Sequence, residues 1–489
     1  MRTLPVALLL IVWTAAAFAA APAKPNLIII NIDDLGYAEI GPFGGRNRTP
    51  ELDRMAKEGR KLTSHYAAPV CSPSRASLMT GCYPKRALPV PHVLFPGAEV
   101  GLNPAERTIA EVLKDAGYVT AAVGKWHLGD QLPFLPTRQG FDSYFGLPYS
   151  NDMGPAADGV KSNRGMPVPQ AKAGVKAKAA PVSDETGIRG AQPPLALIEN
   201  ETVIGRVRAE EQIQLQRRYT ERAVAFIRER HDRPFFLYFA PNAVHFPVYP
   251  RDEFMGKSGN GLLGDWVQEI DWSVGQVLAA LRELKLDANT LVIFTSDNGG
   301  PVNQGAVNTP LRGSKGTTFE GGIRVCTIAW WPGRIPAGTS TDAITSMMDI
   351  LPTFARLGGT TAPTDRKIDG VDLWPVLTGN PSQAPRDVFH YFRGATLDAV
   401  RSGPWKLHLA KGELYHLGND IAEAKDVAAA HPEEVKKLRA LAAAMAGDLG
   451  VDQFGPGCRE LGRVKNPQPI IAADGTVRRD MAGKTAVFP

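Results

Sequence analysis

Residues 26–31 read Asn-Leu-Ile-Ile-Ile-Asn and stop at the acidic pair Asp33-Asp34. A short β-branched run between polar ends reads as a strand buried on both faces. The pattern recurs at Tyr118–Val123, Phe235–Ala240, Thr290–Thr295 and Val325–Trp331. Helical stretches separate these runs. Thr49-Pro50-Glu51 opens a helix through about Lys61, with proline in its first turn. Pro104–Ala116, Glu210–Glu229 and the amphipathic Trp266–Leu284 are further helices. Helices alternating with apolar strands predict an α/β fold: a large, mostly parallel sheet sandwiched by helices. In such sheets ligands bind beyond the C-terminal ends of the strands.

The chain of 489 residues is long enough for one large domain and a smaller one. Residues 154–195 are rich in Ala, Lys, Pro and Gly and lack periodicity, which predicts a surface loop or insertion. From about Ile368 the elements shorten. Trp405–Leu409 and Glu413–Leu417 read as paired strands and Pro432–Gly447 as a helix. The expected division is 22–365 for the large unit and 366–489 for a small C-terminal α+β unit. The tail after Cys458 carries no clear pattern. At the other end, Arg2 precedes the apolar run Val6–Trp13, and Ala17-Phe18-Ala19 fits a small-x-small cleavage site. Residues 1–21 therefore read as a signal peptide, which predicts secretion or periplasmic export. The apolar run is short for a membrane anchor, and no later stretch is long enough to span a bilayer. Four cysteines (Cys71, Cys82, Cys326, Cys458) do not make a disulfide scaffold. A net charge of +5 suits anionic small ligands and does not indicate a nucleic-acid binder.

The polar residues that follow the strands carry the chemistry. Asp33-Asp34 at a strand end reads either as a capping pair or as metal ligands. Asp297-Asn298-Gly299 reads either as a turn or as a second ligand group. Taken together they bring carboxylates and an amide oxygen to the ends of neighbouring strands, where a cation would offset their repulsion. An all-oxygen set suits Ca²⁺, or less well Mg²⁺, better than zinc. Lys125 and His127 stand two apart just beyond one strand, and His245 follows another. Lys315 lies in a glycine-punctuated basic loop, Arg312-Gly313-Ser314-Lys315-Gly316, where glycine permits close approach to an anion.

Residues 71–81, Cys-Ser-Pro-Ser-Arg-Ala-Ser-Leu-Met-Thr-Gly, have the Cys-x-Pro-x-Arg spacing that directs oxidation of cysteine to formylglycine. This run resembles the signature of the type I sulfatases. A sulfate ester is a poor electrophile, its oxygens repel anionic nucleophiles, and a thiolate would be trapped as a thiosulfate. An aldehyde hydrate offers two hydroxyls on one carbon, one to attack sulfur and one to expel sulfate, which divides the reaction into two easier steps. Arg75, four residues on, returns to the helix face of residue 71.

Gly124-Lys125-Trp126-His127-Leu128-Gly129 matches another sulfatase segment. From about Lys24 to about Asp420 the chain resembles the type I sulfatase family of the alkaline-phosphatase-like superfamily. Gln139-Gly140-Phe141-Asp142 and Leu147-Pro148-Tyr149-Ser150 resemble arylsulfatase A. His245-Phe246-Pro247 and Tyr391-Phe392-Arg393 resemble N-acetylgalactosamine-6-sulfatase. The resemblance implies that Asp33, Asp34, Asp297 and Asn298, with formylglycine at Cys71, bind Ca²⁺. It implies that Arg75 and Lys125 hold the hydrate and sulfate, and that His127 deprotonates the second hydroxyl. His245 and Lys315 would contact the ester oxygens, with Ser150 in support. The implied substrate is a sulfate monoester of a carbohydrate or an aryl alcohol, and a formylglycine-generating enzyme is the implied maturation partner. Two other readings are a phosphate or phosphonate ester hydrolase of the same superfamily and a non-catalytic sulfoglycan-binding protein.

Overall fold

The computed structural model describes residues 24–169, 183–379 and 386–483. The expected signal peptide, 1–21, lies outside the described residues, as does the centre of the 154–195 insertion. The core is an eleven-stranded sheet flanked by helices. Five strands run parallel side by side at its middle: Thr290–Ser296, Asn26–Ile32, Phe235–Ala240, Val119–Gly124 and Ser143–Gly146. Arg324–Trp330 lies antiparallel between Thr290–Ser296 and Arg60–Tyr66. Ala196–Glu199 and Thr202–Arg206 close the other edge as an antiparallel pair.

The central strand shows why the sheet is buried on both faces. Every residue of Asn26–Ile32 is buried. Ile28, Ile30 and Ile32 enter one apolar layer, and Leu27 and Ile29 the opposite one, as the two-residue period of a strand requires. Each such side chain contributes about 1.5–3 kcal/mol by leaving water. One layer is covered by the helices Ala209–Arg230 and Gly261–Glu283, whose Leu215, Tyr219, Ile270 and Val274 pack into it.

Three expectations change. The helix opened by Pro50 stops at Glu58, because Gly59 takes an extended conformation and Arg60–Tyr66 is a strand. The helix expected over 104–116 spans only Ile109–Asp115. Thr108 is its N-cap, and its hydroxyl and the Glu111 carboxylate form a reciprocal capping box that fixes the start there. The insertion is not all loop, since Ser183–Asp184 and Gly187–Ile188 pair as a small hairpin.

Val388–Arg393, Thr396–Ser402, Trp405–His408 and Glu413–His416 form a separate four-stranded antiparallel sheet. The helix Pro432–Leu449 buries Leu438, Ala442 and Leu449 in the same cluster as Leu407 and Leu414. A buried ion network joins this sheet to the large one. Lys406 donates to Glu320 at 2.9 Å and lies 2.8 Å from Glu423, with all three side chains shut off from solvent. Tyr66 and Tyr391 also donate to Glu320, at 2.6 and 3.0 Å. The patternless tail returns to the large unit: Gly462–Arg463 pairs with Val100–Gly101, and Ile470, Ile471 and Met481 are buried in its core.

Candidate active site

The five parallel strands deliver their polar residues to one edge of the sheet. Asp33 and Asp34 follow Ile32, and Asp297 and Asn298 follow Ser296, its partner in the register. Lys125 and His127 follow Gly124, His245 lies beyond Ala240, and Ser150 beyond Gly146. Arg60–Tyr66 points the same way and leads to the helix Cys71–Thr80, which begins at Cys71. Arg324–Trp330 runs in the opposite sense, so Lys315, ahead of its start, reaches the same edge.

Local backbone geometry sets these positions. Gly124 has φ of 112°, and a Cβ there would meet the Ala240 carbonyl oxygen at 2.1 Å. That close approach lets Lys125 N–H donate to the same carbonyl at 2.7 Å. Asp34 and His127 hold left-handed conformations at φ of 62° and 67°, which side chains other than glycine seldom adopt and which concentrate at functional sites. The helix Cys71–Thr80 is buried along its whole length and ends at Gly81, also left-handed at φ of 68°. Arg75 lies one turn below Cys71 on the same face.

Ligand atoms of Asp33, Asp34, Cys71 and Asp297 all lie within 4.8 Å of one another. Arg75 donates to Asp297 at 3.0 Å, and its second nitrogen stands 3.7 Å from Asp33. Lys125 donates to Asp33 at 2.7 Å and to Ser150 at 2.6 Å. Lys315 lies 2.8 Å from Asp34. Three carboxylates thus face three fixed cations, and their formal charges cancel. Burial alone would raise the Asp33 carboxyl, but Lys125, His245, Arg75 and Lys315 outweigh it and hold it well below the usual range. Burial and the neighbouring Asp33 push Asp297 up to about 6. Carboxylates this crowded favour a proton or a cation among them.

The donor set fits a hard divalent cation. The buried Asn298 Oδ1 has no hydrogen-bond partner, while its Nδ2 donates to Asp34 at 2.7 Å. That orients the free amide oxygen as a ligand, alongside carboxylate oxygens of the kind Ca²⁺ or Mg²⁺ takes. Cys71 does not suit a nucleophilic thiolate. Its Sγ lies 3.3 Å from Asp33, and burial with Asp297 and Asp33 pushes the thiol well above its ordinary value.

His127 Nε2 pairs with the Leu94 carbonyl at 2.8 Å, so that nitrogen carries the proton. Its buried Nδ1 has no partner and keeps a free lone pair. Burial, then Lys125 and Arg75, hold the ring well below its usual pKa. His245 Nδ1 donates to the Phe246 carbonyl at 2.5 Å, which turns Nε2 toward Ser150 at 3.4 Å and Asp34 at 3.7 Å. All ten residues expected at the site apart from His127 are linked by these contacts, and His127 stands within electrostatic reach of Lys125 and Arg75.

Two participants escaped the sequence reading. Tyr238 hydroxyl accepts from Arg75 at 3.3 Å and from Asn31 at 3.2 Å. Its signal was present: one hydroxyl in the otherwise apolar strand Phe235–Ala240. The Leu94 carbonyl has no side-chain signature.

Comparison with known proteins agrees with this geometry. Residues 25–360 match the family described as Sulfatase. N-acetylgalactosamine-6-sulfatase of Canis lupus familiaris is 40% identical over 417 residues, covering 82% of this chain and 75% of its own. Arylsulfatase A of Homo sapiens is 37% identical over 412 residues, covering 80% and 76%. The crystal structure of Ps i-CgsB in complex with k-i-k-neocarrahexaose superposes with a TM-score of 0.73 at 30% identity, covering 88% of this chain and 95% of that one. With a family match across most of its length, this chain belongs to the sulfatase family and is a sulfate-ester hydrolase.

Proposed function

We propose that the chain removes sulfate from a sulfated carbohydrate, using Cys71 in its formylglycine form and a Ca²⁺ ion held by Asp33, Asp34, Asp297 and Asn298. The observation that carries this reading is the charge balance of the cluster. Three carboxylates and the three cations Arg75, Lys125 and Lys315 cancel, so a bound divalent cation leaves the site positive and matched to an anionic ester. The ion would supply Lewis acidity and a template for the sulfate oxygens. Formylglycine, as its hydrate, would supply the two hydroxyls that attack and release sulfur.

The chain's own residues do the rest. Arg75 and Lys125 orient residue 71 and neutralise sulfate charge. Ser150 holds the Lys125 ammonium in place. The free Nδ1 of His127 takes the proton in the release step. His245 and Lys315 lie on the opposite flank, at Asp34, and assist the departing ester oxygen.

The carbohydrate class rests on the relatives. One acts by name on N-acetylgalactosamine-6-sulfate, and a similar structure is a complex with k-i-k-neocarrahexaose. Residues 22–365 would form most of the catalytic unit, with 366–489 supplying the small C-terminal sheet and helix and a tail that packs back on the large unit. Cleavage after residue 21 would deliver the protein to the periplasm or outside the cell, after conversion of Cys71 by a maturation enzyme. No helix among the described residues is long and apolar enough to cross a membrane.

The test uses purified protein with formylglycine verified at residue 71, assayed on matched sulfate and phosphate monoesters of one aryl alcohol. Faster sulfate release is expected. Faster phosphate release, or glycan binding without turnover of any sulfate ester, contradicts the proposal.

A further inference from the structure

Lys315 stands on a loop that is held from outside. Gly313 and Gly316 take left-handed φ of 97° and 85°, so residues 312–320 have no stiff backbone of their own. The middle of the loop lies against the reacting cluster. Lys315 N–H donates to the Gly300 carbonyl at 3.3 Å, just beyond Asn298, and Gly316 N–H to the Pro69 carbonyl at 2.8 Å, just before Cys71. Both ends of the loop meet one residue of the small unit, Glu423. Arg312 Nη1 donates to the Glu423 carbonyl at 2.7 Å, and Glu320 N–H donates to Glu423 Oε2 at 2.7 Å. Glu423 is fully buried and holds a left-handed φ of 51°, a conformation that costs free energy and persists only where the surroundings impose it. Its Oε1 lies 2.8 Å from Lys406 Nζ and 2.9 Å from His408 Nε2, both on the strand Trp405–His408. Lys406 also reaches the loop directly, donating to the Thr318 carbonyl at 2.8 Å.

We propose that Glu423 is a positioning residue for ester cleavage: by gripping both ends of the 312–320 loop, it sets the Lys315 ammonium where the departing oxygen forms. The proposal rests on the reading of Lys315 as the group that assists that oxygen. When the S–O bond to the alcohol breaks, its electron pair leaves on oxygen, and the ammonium donates to it. A lysine ammonium sits on a flexible stem, so its aim depends on where the backbone beneath it is fixed. The small unit then contributes to the reaction through a loop it holds rather than through a group on the substrate. The need for this help depends on the leaving group. A nitrophenolate departs with little assistance, whereas an unactivated phenolate or a sugar alkoxide draws on the charge of Lys315. Misplacing Lys315 therefore slows poor leaving groups more than good ones, while a loss of folded enzyme slows both alike.

The test compares kcat/KM on phenyl sulfate and on 4-nitrophenyl sulfate, using the full-length enzyme with formylglycine verified and Ca²⁺ present. The ratio of the two values does not depend on how much of a sample is active. Glu423→Gln keeps the side-chain volume but sets an amide NH₂ against the donors at one of the two oxygens. It should shift the ratio against phenyl sulfate by about tenfold, part of the roughly 10²-fold that 1 Å of misplacement can cost. Arg312→Met, at an exposed residue, frees one end of the loop without opening the core and should shift the ratio the same way by about threefold, the size of one lost hydrogen bond. Lys315→Ala should give the largest shift, about 10²–10³. An unchanged ratio in Glu423→Gln and Arg312→Met, beside a shifted ratio in Lys315→Ala, overturns the proposal. Where Glu423→Gln fails to fold in a thermal melt, the Arg312→Met ratio decides alone. An unchanged ratio in Lys315→Ala overturns instead the reading of Lys315 on which the proposal rests.

Discussion

Replacing Lys125 with Met tests whether the site works by charge. The side chain is fully buried and donates to Asp33 at 2.7 Å and Ser150 at 2.6 Å. Met keeps much of the volume and removes the ammonium. The cluster then holds three carboxylates against two cations, and Asp33 keeps Arg75 at 3.7 Å as its paired cation, with Lys315 and His245 acting on it without a direct ion pair. Removing one fixed donor from a water-excluded site costs about 2.7–4 kcal/mol in the transition state, or about 10²–10³ in kcat. Ser150→Ala removes a hydrogen bond to the same ammonium but leaves its charge. It should cost about 1 kcal/mol, close to fivefold. The assay is kcat and KM on an aryl sulfate, with formylglycine content measured for each variant and a thermal melt as folding control. A Lys125→Met enzyme within tenfold of wild type, or a Ser150→Ala enzyme as impaired as Lys125→Met, would refute the charge argument.

Other outcomes follow from the same contacts. Chelation of divalent cations should abolish turnover and lower the melting temperature, with Ca²⁺ restoring both; saturation at a hundredfold over Kd contributes about 2.7 kcal/mol. Because Asp297 is pushed up to about 6, protons should compete with the cation below about that pH, and calorimetric affinity for Ca²⁺ should fall there. Lys406→Met removes the buried ammonium that Glu320 and Glu423 share, leaving Glu320 to Arg324, Tyr66 and Tyr391 and Glu423 to His408, and should destabilise the fold by about 3–5 kcal/mol in denaturant titrations. His65 is buried and neutral, pushed down to about 3, whereas the unfolded chain's histidine takes its proton near 6.5. Its stabilising contribution is therefore complete above about pH 6.5 and lost as pH falls toward 3, and His65→Asn should flatten that acid limb of the melting curve.

The sheet was legible because its central strands are buried on both faces, so Asn26–Ile32 and Thr290–Ser296 are unbroken apolar runs. Arg60–Tyr66 was not, because its sequence Arg-Lys-Leu-Thr-Ser-His-Tyr is polar. Its buried His65 and Tyr66 make their bonds to Thr345 and Glu320, far away in the chain. The antiparallel sense of Arg324–Trp330 is likewise set by its long-range partners. Val388–Arg393 and Thr396–Ser402 went unread because Arg401 and His390 interrupt the apolar pattern; in the fold Arg401 pairs with Tyr66 and His390 with Tyr83. At the site, side chains with distinctive chemistry stood out after each strand. Contacts made by backbone, such as the Leu94 carbonyl that fixes the His127 tautomer, exist only once the loops have packed.

The central claim is that residue 71 acts as formylglycine over a cation-dependent sulfate site. The most direct measurement is mass spectrometry of the residue-71 peptide from protein matured with a formylglycine-generating enzyme, read against sulfatase turnover of the same sample. Turnover should rise in proportion to the fraction of Cys71 whose CH₂SH has become CHO, and vanish in Cys71→Ala. Full turnover from protein that retains the thiol would contradict it.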